Sequence, residues 1–238
     1  MRMRSGIDRV TSPYPPSWYA ASVASLPSQP TLTGDIDADV CILGAGYVGL
    51  STALELAEAG YKVVVLEAER IGWGASGRNG GQVLFGFGCG ESKLVSLLGR
   101  DDARKLFDWS CEGVRLIHER RDRYGIDCDW REGHATVAIK PRQIGELQTG
   151  QRELEQDYDY SMSWWDREQL RGQLDSPRYL GGLYDPNAGH LHPLKYALGL
   201  GRAAIGAGVQ IFEASPVQRM SHGDKPVLHT SQGSVRCD

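Results

Sequence analysis

Asp39-Val40-Cys41-Ile42-Leu43-Gly44-Ala45-Gly46-Tyr47-Val48-Gly49 sets the architecture of this chain. Its first five residues are a short, mainly apolar run that ends in glycine, the pattern of a strand buried in a parallel sheet. Tyr47 to Ala59 then reads as a helix, with Leu50, Leu54 and Ala57 on one face and Gly60 as its stop. Lys62 to Leu66 is a second apolar, β-branched run, and so a second strand. Strand, helix and parallel strand make a right-handed βαβ unit.

The turn of that unit fits G-x-G-x-x-G at Gly44, Gly46 and Gly49. The match alone is weak. Here it comes after a strand, opens a helix, and is succeeded by an acid, Glu67, 18 residues after Gly49. Gly44 permits the tight turn, Gly46 lets backbone approach a pyrophosphate, and Gly49 allows close packing of helix on strand. The helix amino end offers free N–H groups and a partial positive charge. Glu67 can accept hydrogen bonds from a ribose hydroxyl. The chain then runs into a second Gly-rich stretch, Arg70-Ile71-Gly72-Trp73-Gly74-Ala75-Ser76-Gly77-Arg78-Asn79-Gly80-Gly81-Gln82. A nicotinamide dehydrogenase of the doubly wound type would usually continue straight into another βα unit. A second backbone-lined site directly after the ribose acid suits a longer dinucleotide such as FAD.

On the amino-terminal side, residues 1–37 read as an arm rich in Ser, Pro and Thr. Residues 38–90 and 190–238 read as an incomplete FAD-binding domain, and 91–189 as an incomplete inserted substrate region. Within the insert, helices are expected over 101–124 and about 142–157, with strands over 130–139 and 179–184. Pro193 opens a further helix, Val209 to Phe212 is a late parallel strand, and three short runs between Val217 and Cys237 form an antiparallel meander turning at Gln232-Gly233. The fold class is therefore α/β: a Rossmann-type, glutathione-reductase-like domain with an inserted α+β substrate domain.

Hydrophobic residues are 41% and charged residues 24% of the 238, which excludes a disordered chain. The net charge is −4 without a basic stripe, so nothing favours nucleic acid or an anionic membrane. The five cysteines are widely spaced, with no CxxC pair for zinc and no disulfide framework, as in a cytoplasmic protein. Met1-Arg2-Met3-Arg4 could start a signal peptide, but Pro13, Pro15 and Pro16 interrupt the apolar run that such a peptide needs. No Ser-His-Asp grouping and no metal constellation stands out, and no residue is assigned a catalytic role.

The sequence resembles the FAD-dependent oxidoreductases of the D-amino-acid oxidase and glycine oxidase type, and within them the gamma-glutamylputrescine oxidase subgroup. The fingerprint, Val64-Val65-Leu66-Glu67-Ala68, and Gly74-Ala75-Ser76-Gly77-Arg78-Asn79-Gly80-Gly81-Gln82 carry the likeness. Tyr124-Gly125-Ile126-Asp127-Cys128-Asp129 and Gly189-His190-Leu191-His192-Pro193-Leu194 extend it, and it runs from about Tyr19 to the last residue. It implies FAD held noncovalently, since 74–82 contains neither His nor Cys for attachment. It implies that Gly44, Gly46 and Gly49 line the pyrophosphate and that Glu67 holds the ribose. Ser76, Arg78, Asn79, Gly80, Gly81 and Gln82 would run towards the flavin ring. Val217 would present backbone to adenine, or be a core residue. The implied reaction takes a hydride equivalent from the carbon beside an amine nitrogen, with a small amine as substrate and O2 or another acceptor reoxidising the flavin. In such proteins the meander leads into a further strand and most of the substrate sheet, so residues 1–238 alone are expected not to turn over.

Several residues admit two readings. Arg78 either meets an anion near the flavin or staples its own loop. One of His190 and His192 lines a substrate pocket, or both are structural. Trp130, Trp164 and Trp165 form an amine-binding wall or, more simply, pack. Glu119-Arg120-Arg121-Asp122-Arg123 is read as a solvated helix face. Competing readings of the whole chain are another D-amino-acid, glycine or sarcosine-type enzyme, an NAD-linked dehydrogenase, and an inactive nucleotide-binding fragment.

Overall fold

The computed structural model describes residues 14–24 and 27–238; the basic Met1-Arg2-Met3-Arg4 start and Pro13 lie outside them. In chain order the first elements are α1 (Trp18–Ala21), β1 (Gly34–Ala38), β2 (Val40–Leu43), α2 (Tyr47–Glu58), β3 (Val63–Leu66) and β4 (Gln82–Val83). Next come α3 (Glu91–Leu98), α4 (Arg100–Arg123), β5 (Arg131–Ala138), α5 (Pro141–Tyr158), β6 (Ser163–Trp165), α6 (Arg167–Gln173) and β7 (Gly181–His190). The chain closes with α7 (Pro193–Gly206), β8 (Gln210–Phe212), β9 (Arg219–Ser221), β10 (Val227–His229) and β11 (Gly233–Cys237). The fold is mixed α/β, and the described residues fall into two compact units.

The first unit holds the described residues up to Gly80 together with Arg120–Asp129 and His192–Asp238. Its parallel sheet runs β2-β3-β8, with Val40 opposite Val63 and Val64 opposite Gln210. All four residues of β3 are buried. Successive side chains of a strand point to opposite faces. Val64 and Leu66 therefore share a cluster with Leu32, Ala38, Leu228, Val235 and Cys237, while Val63 and Val65 face the other way. α2 packs on β3 and on α7, burying Gly49, Leu50, Ala53 and Leu54. The expected βαβ unit is thus present, with its helix ending within a residue or two of the predicted stop.

The second sheet of this unit is β1-β11-β10-β9. The β9–β10–β11 meander is antiparallel as expected, but β1 adds to it in parallel, pairing Gly34 with Gly233 and Ala38 with Cys237. Residues 34–37, read from sequence as arm, are therefore a sheet strand. Their run of Gly, Asp, Ile and Asp has no apolar alternation, and only the distant β11 makes it a strand. The charge run on α4 is also corrected: Arg120 donates to Ser51 Oγ at 2.8 Å and to Glu55 at 2.7 Å, and Arg123 pairs with Glu58. These arginines tie the end of α4 to α2, so the run is not a merely solvated face.

The second unit comprises Gly81–Glu119 and Trp130–Leu191. Its sheet is built on the long strand β7, with β5 on one side and β4 and β6 also paired to it. Trp165 stacks on Tyr184 with ring centroids 4.1 Å apart. A Cβ on Gly181 would meet the Trp164 ring at 2.6 Å. Trp130 packs edge-on against His118. The tryptophans thus pack against their own sheet and helix, the simpler of the two sequence readings. α3, which the sequence pattern did not single out, buries only Leu94.

Candidate cofactor site

After β2 the chain turns at Gly44, whose φ of +91° is a backbone conformation that L side chains rarely adopt. Its N–H donates to the Leu66 carbonyl at 2.8 Å, locking the turn to the end of β3. Gly46 is the N-cap of α2, makes no side-chain cap, and the first helical turn carries no carboxylate. The helix end therefore keeps its partial positive charge for an anion. A Cβ on Gly49 would lie 2.0 Å from the Gly44 carbonyl oxygen, so only glycine lets the helix start this close to the turn.

Glu67 leaves β3 and reaches back to that turn. Its carboxylate accepts the Ala45 N–H at 2.7 Å and the Glu69 N–H at 2.8 Å. An ionised carboxylate offers about four lone-pair sites, so acceptor capacity remains for a ribose hydroxyl. Ser76 lies in a short 3₁₀ turn, Ala75–Gly77, and its Oγ accepts the Tyr47 N–H at 3.0 Å. The second Gly-rich loop thus folds onto the amino end of α2. Asn79 Nδ2 donates to the carbonyls of Ala75 and Ser76 at 3.2 and 3.1 Å and holds that turn closed. Arg78 is exposed; its Nε donates to Gly74 O at 3.2 Å and its guanidinium lies 4.9 Å from the Trp73 ring centroid. In this structure it staples its own loop, the second of its two sequence readings.

Gly44, Gly46, Gly49, Glu67, Ser76 and Asn79 are thereby brought together in the first unit. Gly80 is exposed at its end. Gly81 and Gln82 belong to the second unit, where Gly81 O accepts the Leu191 N–H at 2.9 Å and Gln82 pairs with His190. Val217 is half-buried against the cluster of Leu32, Val64 and Val235. Sequence reasoning missed Tyr47 as more than a helix start. Its hydroxyl donates to the Pro193 carbonyl at 2.9 Å, and burial pushes its phenol well above the usual range. An aromatic residue inside the fingerprint was the available signal.

Residues 39–238 match the family described as FAD dependent oxidoreductase. The chain belongs to that family. Among curated proteins it is 49% identical over 192 residues to the probable oxidoreductase OrdL of Haemophilus influenzae, covering 80% of this chain and 44% of that protein. It is 41% identical over 219 residues to gamma-glutamylputrescine oxidoreductase of Escherichia coli, covering 92% of this chain and 51% of that protein. The chain thus spans about half the length of the curated relatives it matches. The structure of L-amino acid deaminase from Proteus myxofaciens overlays with a TM-score of 0.75 at 20% identity, over 96% of this chain and 48% of that one. FAD is the cofactor of that family. Its residues fit that cofactor: the first turn of α2 carries no carboxylate of its own, and Glu67 has acceptor sites to spare for a hydroxyl.

His192, one of the two histidines singled out in sequence, is buried and caps α7. Its Nδ1 accepts the Lys195 N–H at 3.1 Å, and its Nε2 lies 3.1 Å from Ser22 Oγ. With Nδ1 accepting, the ring proton sits on Nε2 and points at Ser22. Burial, then the Lys195 charge, lower its pKa from the ordinary 6.5, against the opposing pull of Asp129. A histidine with a lowered folded pKa contributes full stability above the unfolded value of 6.5 and loses it as pH falls through the folded one. The thermal midpoint is therefore expected to drop as pH falls below 6.5, and His192→Asn, which can still cap the helix, should flatten that drop. An identical slope in the variant would remove His192 as its source. His190 is exposed and ends β7.

All five cysteines are free thiols. Among the described residues there is no group of three or more His, Cys, Asp or Glu that could hold a metal ion, and no helix is long and apolar enough to cross a membrane. The second unit holds a cavity of about 450 Å³ lined in part by Phe85, Cys111, His118, Tyr160 and Asn187. Tyr160 donates to the buried Asp185 carboxylate at 2.7 Å. This pair carried no sequence signal, because its members lie 25 residues apart on different segments.

Proposed function

We propose that this chain supplies the FAD-binding unit and part of the substrate region of an amine oxidase whose substrate is gamma-glutamylputrescine or a similar N-acylated diamine. One observation carries the cofactor half of this reading: the Glu67 carboxylate and the Ser76 hydroxyl both close on the turn at the amino end of α2, at 2.7 and 3.0 Å from Ala45 N and Tyr47 N. The substrate class rests on the 41% identity to the Escherichia coli enzyme. The first unit is read as a Rossmann, glutathione-reductase-like cofactor domain and the second as the substrate domain.

In this reading the N–H groups at the start of α2, with Gly44, Gly46 and Gly49, hold the pyrophosphate, and Glu67 holds the ribose. Ser76, Arg78, Asn79, Gly80, Gly81 and Gln82 lead towards the ring, and the backbone at Val217 meets adenine. Bound there without a covalent link, FAD would supply the acceptor for a hydride equivalent from the carbon beside the amine nitrogen, leaving an imine for water to hydrolyse. A dry site that keeps the amine neutral favours that transfer. The chain's residues orient, hold charge and exclude water.

The test is anaerobic bleaching of bound flavin by a panel of amines, in an intact enzyme that contains this sequence. Gamma-glutamylputrescine should bleach it faster than glycine or D-alanine, and the same preparation precipitated with acid should leave a yellow supernatant. Rapid bleaching by D-alanine with none by the glutamylated diamine would move the assignment to the amino-acid oxidases. A yellow pellet would establish a covalent link instead.

A further inference from the structure

Glu213 is a buried carboxylate, 2% exposed, that the cofactor reading leaves without a role. It sits directly after β8, at the centre of three chain segments. On one side lies the amino-terminal segment. Gln29 N–H donates to Glu213 Oε2 at 3.0 Å, Glu213 N–H donates to Pro30 O at 3.1 Å, and Leu32 N–H donates to Ser215 Oγ at 2.9 Å. On the other side lies the segment from the ribose acid to the Gly-rich loop. Ser215 N–H donates to Glu67 O at 2.8 Å, Ala214 N–H to Glu69 O at 3.1 Å, and Ile71 N–H to Glu213 Oε1 at 2.8 Å. The carboxylate thus uses one oxygen for each neighbour.

Two further features mark this junction as built for position. Ala214 has a φ of +50°, in the left-handed region that disfavours a residue with a Cβ. Such a conformation persists where the surroundings over-determine it, and here the hydrogen bonds on both flanks do so. Charge is also balanced locally. Arg70 Nε lies 3.7 Å from Glu213 Oε2, and the Arg70 guanidinium covers the Tyr14 ring at 4.9 Å from its centroid. The Tyr14 hydroxyl donates to Ile71 O at 2.8 Å. Ile71 is therefore gripped through its N–H by Glu213 and through its carbonyl by the amino-terminal segment. The next residue, Gly72, donates its N–H to Ala45 O at 2.9 Å, inside the fingerprint turn.

We propose that Glu213 is a positioning residue for the cofactor site: braced by the amino-terminal segment, its carboxylate fixes the backbone from Glu67 to Gly72 and so sets where the Ser76 loop meets the amino end of α2. The inference rests on the FAD reading of that site. Both carboxylate oxygens accept backbone N–H groups, so an amide cannot replace them: Glu213→Gln turns an NH2 towards a donor.

Amide hydrogen exchange and FAD titration of the 238-residue chain and its variants provide the test. In Glu213→Gln the amides of 71–77 should exchange about tenfold faster without ligand, and FAD should bind about tenfold more weakly. A lower unfolding midpoint with unchanged loop exchange and unchanged FAD affinity would reduce Glu213 to a core residue and overturn the proposal. If Glu213→Gln does not fold, Tyr14→Phe decides the matter, since it removes only the hydroxyl that grips Ile71. Faster exchange over the same amides supports the brace, and unchanged exchange overturns it. Failure of the unaltered chain to bind FAD would count against the cofactor reading, whereas the exchange comparison judges Glu213 without ligand.

Discussion

Gly49→Ala is expected to yield little folded protein and no bound flavin. The added Cβ would stand 2.0 Å from the Gly44 carbonyl oxygen and 3.3 Å from Ile42 Cγ2. The nearer atom is backbone, so no rotamer change relieves the clash. Either α2 withdraws from β2 or the Gly44 turn opens, and both movements dismantle the helix end proposed to hold the pyrophosphate. Overpacking a dense core usually costs about 1–3 kcal/mol, and a backbone collision belongs at or above the top of that range. Against a typical total stability of about 5–15 kcal/mol, this is enough to depopulate the native state markedly. Denaturant midpoint and flavin-to-protein ratio are the measurements. The neighbouring Val48, 82% exposed, is the control: Val48→Ala should change neither. A Gly49→Ala protein with an unaltered midpoint and a full complement of flavin would show that α2 can start elsewhere.

Glu67→Ala is expected to weaken FAD binding by about 10- to 100-fold, the equivalent of about 1–3 kcal/mol. Two effects add in the same direction. The ribose loses a charged acceptor, and the N–H groups of Ala45 and Glu69 lose theirs at 2.7 and 2.8 Å. Glu67→Gln separates them, because its amide oxygen can still accept one backbone N–H while the charge is gone. ADP carries the same ribose and should lose affinity in parallel with FAD. Affinity equal to that of the unaltered chain, for both ligands, would remove Glu67 from the site.

The features legible in the chain were local ones. Val40 to Leu43 and Val63 to Leu66 announce strands through their own side chains. Gly44 and Gly49 must be glycine for reasons that lie within a few residues of each, whereas a Cβ on Gly46 would meet Ser76 of the later loop; Glu67 comes at a spacing set by one helix and two strands. The meander at 219–237 was legible for the same reason: short β-branched runs separated by turn residues. The family resemblance rested on the fingerprint, on Val64 to Ala68 and, most specifically, on the stretch from Ser76 to Gln82.

The βαβ unit, its glycine turn, Glu67 after its second strand and the Gly-rich loop that follows were thus written in the residues themselves. Each depends on periodicity, steric size or charge within one short stretch. Other features arose only on folding. Gly34–Ala38 became a strand because Gly233–Cys237 lies beside it. Arg120 turned from solvent to α2, Arg123 paired with Glu58 at the surface, and His192 became a cap that meets Ser22, 170 residues earlier in the chain. Glu213 became the junction of three segments, bonded to Ile71 across 142 residues and to Gln29 across 184. A buried carboxylate or a polar strand has no signature of its own, because its stability comes from partners that only the folded chain brings within hydrogen-bonding distance.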